Sequence, residues 1–180
     1  PFRLFEGEFE IERVVAVAGP EAERERSGGR LVCDAESIGA AVVLIFRYSL
    51  QNYMHACFGF DKSAGKLVLD LGCGAGIDSA EFARNGASVV SVDFTQIAVE
   101  STRNLFKEAG LSGQVRQADA TSLPFENDYF DCVYSFGVLH HIPDIEKALS
   151  EIKRVLKPGG QIMVMLYHKD SLLYGYSIVF

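Results

Sequence analysis

The residues best suited to chemistry in this chain are acids and glycines held at fixed spacings. Asp70 is followed by Gly72, Gly74 and Gly76 at every second position, inside the run Leu-Val-Leu-Asp-Leu-Gly-Cys-Gly-Ala-Gly from Leu67 to Gly76. Glycine permits positive φ and puts no Cβ between backbone and ligand, so the segment suits close approach to a nucleotide-type group, or else makes a tight turn with no ligand. A second acid, Asp93, stands 21 residues beyond Gly72. A carboxylate offers only acceptors, which matches the paired hydroxyls of a ribose. Beside it, Phe94 is either a face for adenine to stack on or a buried core ring. Ile77 occupies the position where a dinucleotide fingerprint needs its third glycine, and this argues against a nicotinamide or flavin site.

His140 and His141 form a second candidate centre, at the mouth of such a site. Imidazole titrates near neutrality, so one of the pair is a candidate catalytic base or an orienter of a substrate hydroxyl. Capping the loop or packing on the next helix is the equal alternative for each. Cys33, Cys57, Cys73 and Cys132 lack Cys-x-x-Cys spacing. Neither a zinc site nor a disulfide framework is implied, no metal is expected, and reduced thiols of a cytosolic protein fit best.

A regular series of elements positions these groups. Lys66 to Leu71 is apolar without alternation, as in a strand buried on both faces of a parallel sheet. The spacing then predicts a helix over Ile77 to Asn85 stopped by Gly86, a strand over Ser88 to Asp93, and a helix capped by Thr95 that runs to Ala109. Strands follow at Val115 to Ala118 and Asp131 to Ser135. A helix over Asp144 to Leu156 ends before Pro158-Gly159-Gly160, and a fifth strand covers Gln161 to Tyr167. Right-handed crossovers turn this series into an α/β, Rossmann-like, doubly wound parallel sheet of order 3-2-1-4-5. Residues 1–60 read as an amino-terminal extension: a strand over Phe9 to Ala18, a turn at Ser27-Gly28-Gly29, and a helix from Ala35 to about Ala56 with Ile38, Val42, Ile45, Phe46 and Leu50 on one stripe. Phe58 to Gly65 reads as a linker, and residues 61–180 as the cofactor-binding domain.

Five blocks in register resemble the class I S-adenosylmethionine-dependent methyltransferases. They are Val68 to Gly76, Val-Ser-Val-Asp (Val90 to Asp93), Gln-Ala-Asp-Ala (Gln117 to Ala120), Phe-Asp-Cys-Val-Tyr-Ser (Phe130 to Ser135) and Leu-Lys-Pro-Gly-Gly (Leu156 to Gly160). Leu-Pro-Phe (Leu123 to Phe125) and Val-Leu-His-His (Val138 to His141) are similar to the small-molecule branch that includes quinone-biosynthesis enzymes. The resemblance implies S-adenosylmethionine as cofactor. It implies Asp70 for the amino group, directly or through water; the alternative for an Asp at this place is a cap of the following turn. Asp119 is implied for the adenine amine with the Ala120 backbone for a ring nitrogen, although Thr121-Ser122 equally suit a capped loop. It further implies a backbone contact from Ser135, and a pocket cover from Tyr48 or Tyr53, whose alternative is core packing. Members normally add two further strands, so the chain reads as a piece of a longer polypeptide, truncated at its carboxyl end.

Net charge is −7 and the pI about 5.1, so the chain shows no electrostatic footprint for nucleic acid. The longest apolar run, Ile38 to Phe46, is about half of what a bilayer crossing needs. The expectation is therefore a soluble, cytoplasmic methyltransferase acting on a small molecule at oxygen, carbon or nitrogen, of unknown oligomeric state. An inactive cofactor-binding module or partner subunit is the alternative.

Overall fold

The computed structural model describes residues 47–51 and 53–166. The expected strand and turn over residues 9–33, the helix before residue 47, and the segment 167–180 lie outside the described residues.

At the centre stands β1 (Leu67–Leu71), flanked by β2 (Ser88–Asp93) and β4 (Phe130–Phe136); β3 (Gln114–Gln117) and β5 (Leu156–Met165) lie outside them. Every pairing is parallel and the order is β3-β2-β1-β4-β5, as the pattern of elements predicts. Alternate residues of a strand face opposite sides, and each side of this sheet is covered. Leu69, Leu71, Val90, Val92 and Val133 pack with Ala148, Ile152 and Val155 of α4 (Ile145–Val155). On the other side Val68, Val89, Cys132 and Tyr134 meet Phe58, Phe60 and Phe82. Those rings interlock edge to face, Phe60 with Phe82 at 4.6 Å and Phe82 with Tyr134 at 5.1 Å. Each fully buried side chain of this size contributes roughly 1.5–3 kcal/mol.

Helix starts follow local chemistry. Thr95 accepts from the Ala98 amide to open α3 (Gln96–Glu108), and Asp144 accepts from the Lys147 amide to open α4. The buried face of α3 carries Val99, Thr102, Leu105 and Phe106, three and four residues apart. Between β1 and β2 runs α2 (Ile77–Arg84).

Three expectations need correction. The fifth strand begins at Leu156, because Phe130 pairs with Leu156 and Cys132 next pairs with Gln161, so that Lys157 to Gly160 bulge out. Pro158 supplies no amide hydrogen, which makes the segment read as a break, yet Leu156 is buried in the core before it. The stretch 58–65 is packed rather than a linker: Phe58 ends α1 (Tyr53–Phe58), and Phe60 opens a 3-10 turn to Ser63 whose two ends are buried. Finally, residues 47–50 are helical but a turn at residue 51 interrupts them before α1, and Leu50 is 69% exposed instead of joining an apolar stripe.

Candidate functional site

A reversal of strand order opens a crevice at the carboxyl ends of the strands. Here the reversal falls between β1 and β4, whose tips are the glycine loop and Gly137-Val138. The Gly72 and Cys73 amides both donate to the Val92 carbonyl, at 2.8 and 3.0 Å, which ties the loop to β2. From below, Thr102 donates to the Gly74 carbonyl at 3.1 Å and lies 3.4 Å from the Cys73 sulfur. This explains a polar residue on the buried face of α3. Gly72 has φ +81°, and a Cβ there would stand 2.4 Å from a Val138 methyl. At Gly74, with φ +54°, a Cβ would meet nothing within 4 Å and would project into open space.

The crevice has two lobes that share Gly72. The larger, about 670 Å3, is lined by Asp93, Phe94, Asp119, Ala120, Val138 and His141 among others. Its two acids, Asp93 of β2 and Asp119 of the loop after β3, are acceptors. Asp93 accepts from the Gly74 amide at 3.0 Å through Oδ2, and from the Thr95 amide and hydroxyl at 2.9 Å through Oδ1. The two strand tips are thereby in hydrogen-bond contact. Asp119 accepts from the Thr121 amide and hydroxyl, both at 2.8 Å, and those bonds hold its carboxyl below the usual range. Phe94 is 70% exposed, so it is not a core ring.

The smaller lobe, about 260 Å3, lies between the glycine loop, Asp70, Asp78, Tyr134, Phe136 and Arg47. Asp78 is its hub. It accepts from Arg47 Nε at 2.8 Å and Nη2 at 2.7 Å, and from the Tyr48 and Tyr134 hydroxyls at 2.8 Å each. Burial opposes charge on Arg47, but hydrogen bonding to Asp78 and its negative charge outweigh burial and keep the guanidinium firmly protonated. Burial, reinforced by Asp78, pushes the Tyr48 and Tyr134 hydroxyls far up, so both remain donors. Burial likewise lifts the Cys73 thiol to about 12, which removes it as a nucleophile.

Asp70 is 2% exposed and accepts from Ser79, which in turn accepts from Ser91 at 2.7 Å. Burial is the main reason its carboxyl is raised from 3.8 to about 7; the Ser79 bond and Arg47 oppose this, while Asp78 and Asp93 add to it. The folded chain thus keeps a proton that the unfolded chain has released. Unfolding free energy should fall as pH rises from about 4 to about 7 and level off above, and Asp70→Asn should flatten that slope. Urea midpoints of both proteins across the window check this. A slope unchanged in the variant would exclude Asp70 as its source.

Comparison with known proteins accords with this geometry. The family model described as "Methyltransferase domain" matches residues 69–164, from the middle of β1 to the end of β5. The chain belongs to the class I S-adenosylmethionine-dependent methyltransferase family. A family relative, the demethylmenaquinone methyltransferase of Clavibacter sepedonicus, is 44% identical over 106 residues, which are 56% of this chain and 41% of the relative. Among solved structures, the YcgJ protein of Bacillus subtilis matches with a TM-score of 0.56 and 33% identity over 61% of this chain and 49% of that one. The [4+2]-cyclase SpnF matches with a TM-score of 0.58 and 30% identity over 63% of this chain and 45% of that one. The chain therefore spans less than half the length of each of these relatives.

Within this methyltransferase fold, Gly72, Asp93, Phe94, Asp119, Ala120 and His141 share the larger lobe, and Asp70, Gly72 and Gly74 the smaller. Gly76 stands at the start of α2, behind them. Ser135 is not at the crevice wall: it is fully buried and its hydroxyl donates to the Leu71 carbonyl at 2.9 Å, so Phe136, Gly137 and Val138 take the wall instead. His140 is half-buried behind His141, with ring centroids 4.0 Å apart, and burial followed by the His141 charge lowers its pKa. Tyr48 packs on His55 and Phe60 and lends only its hydroxyl to Asp78. Arg47, Asp78 and Tyr134 were not singled out by sequence. Asp78, two residues after the last glycine, was the available signal.

Proposed function

We propose that the chain binds S-adenosylmethionine across both lobes and transfers its methyl group to a small, largely apolar acceptor of the quinone-precursor kind. The observation that carries this is the 3.0 Å bond between Gly74 and Asp93, which unites the glycine loop and the second strand tip around one crevice. The fit is chemical as well as spatial. A ribose diol and an adenine amine present donors, and the larger lobe answers with Asp93 and Asp119. Gly74 leaves room where any Cβ would intrude. When bound, the sulfonium supplies an activated methyl group. The residues of the chain then hold and orient: Asp70 accepts from the ammonium, Phe94 offers its exposed face to adenine, and the Ala120 backbone reaches the ring.

His141 faces the crevice and is the candidate base for an acceptor hydroxyl, whereas His140 supports it from behind. Positioning outweighs proton transfer here: alignment supplies about 7–11 kcal/mol, against roughly 10²–10⁴-fold in rate from a base. The acceptor class draws on the apolar walls, including Val138, Ile142 and Pro143, and on the printed name of the Clavibacter relative. Free Cys57, Cys73 and Cys132 suit a cytosolic setting, and no helix among the described residues is long and apolar enough to cross a membrane.

Calorimetry with S-adenosylmethionine tests the reading. The unsubstituted chain should bind, and Asp93→Ala should weaken binding roughly 10- to 100-fold, the effect of losing hydrogen bonds to a charged acceptor. Unchanged affinity in the variant would remove Asp93 from the ribose. Transfer of labelled methyl to quinol acceptors then distinguishes an enzyme from a module that binds without reacting, a distinction that matters because SpnF, a neighbour of the same fold, is named for a cyclisation.

A further inference from the structure

Thr102 is wholly buried on a face of α3 that is otherwise apolar, and its hydroxyl meets the glycine loop. Its one hydrogen goes to the Gly74 carbonyl, so the Cys73 thiol, which burial keeps protonated, donates to Thr102 in turn. Thr102 also accounts for the last glycine of the loop: a Cβ at Gly76 would stand 2.6 Å from the Thr102 methyl and 2.7 Å from its hydroxyl.

Gly74 needs such a hold. Its φ of +54° and the open space where a Cβ would stand leave that backbone without steric restraint. Hydrogen bonds fix it instead, at its carbonyl from Thr102 and at its amide toward Asp93 Oδ2. The other oxygen of Asp93 accepts from the Thr95 amide and hydroxyl. Thr95 caps α3, and Thr102 lies about two turns further along the same helix. One helix therefore holds both oxygens of Asp93, the first directly and the second through Gly74.

We propose that Thr102 is a positioning residue for the adenosyl ligand, acting through the Gly74 backbone to fix the carboxylate of Asp93. The inference rests on the cofactor reading above and adds to it a residue that touches no ligand. Without the hydroxyl the Gly74 backbone is free to turn, and Asp93 Oδ2 loses its donor. The carboxylate must then be ordered anew at each binding event, and affinity falls by that cost.

The test is calorimetry with S-adenosylmethionine on the full chain, with circular dichroism to follow folding. Thr102→Val keeps the shape and removes the hydroxyl, and it should weaken binding roughly 3- to 10-fold. Thr102→Ser keeps the hydroxyl and should stay within about 2-fold of the unsubstituted chain. In an Asp93→Ala background, Thr102→Val should cost less than about 2-fold, since the group being positioned is gone. The same loss in both backgrounds would make Thr102 a packing residue and overturn the inference. Unchanged affinity in Thr102→Val would overturn it too, as would a Thr102→Ser protein as weak as Thr102→Val. Should Thr102→Val not fold, hydrogen exchange of the Gly74 amide in the unsubstituted chain decides: protection is expected, and exchange at the rate of a free peptide would overturn the inference. Failure of the unsubstituted chain to bind S-adenosylmethionine would instead sink the cofactor reading, and this inference with it.

Discussion

Replacing Gly72 with alanine is expected to destabilise the chain by about 2–5 kcal/mol and to disorder the crevice, because two separate penalties fall on one atom. With φ at +81°, any L side chain is strained. The new Cβ would also stand 2.4, 2.7 and 2.9 Å from three carbons of Val138. Valine is stiff at χ1, so it has little freedom to swing aside, and the loop or the β4 tip must move instead. Gly74→Ala separates the two penalties: φ is again positive, but the Cβ has no neighbour within 4 Å. It should cost only the strain, about 1–3 kcal/mol. Adding Val138→Ala to Gly72→Ala should recover part of the difference. Guanidinium unfolding of the four proteins measures these values, and equal costs for the two glycine variants would show that Val138 does not demand the glycine.

Asp78→Ala should be nearly as damaging, at about 2–4 kcal/mol, somewhat less than for breaking a fully buried pair since Arg47 keeps some access to water. The carboxylate side chain is only 10% exposed and receives donors from three residues on two separate stretches of chain. Its loss leaves Arg47 charged with no counter-ion and strands the Tyr134 hydroxyl in the aromatic core. Tyr134→Phe removes a single bond to the same carboxylate and should cost less, about 1.5–3 kcal/mol. Denaturant midpoints rank the two. If Asp78→Ala proved milder than Tyr134→Phe, the hub would not be the acid.

Much of the sheet was readable before any coordinates. β1 and β2 are buried on both faces, so their apolar runs show no clear alternation, and the helices after β2 and β4 announce their starts through Thr95 and Asp144. Strand order followed from reading the βαβ series, with its right-handed crossovers, as a doubly wound sheet. The packed turn around Phe60 was not legible, since four residues are too few for a period and Asp61-Lys62 imitate a solvated loop. Nor was the early start of β5, where a proline and two glycines hide a buried leucine.

The candidate site divides along the same line. Residue type and spacing by themselves determined that a glycine loop and a carboxylate end neighbouring strands, because two consecutive parallel strands joined by one helix pair side by side and the sequence fixes what stands at their tips. Only tertiary structure decided which neighbours face the crevice. His141 does and His140 does not; Ser135 turns inward to Leu71; and Arg47 reaches Asp78 from 31 residues away. A contact between distant segments leaves no periodic trace in a sequence, since it depends on where two elements pack and not on how either repeats.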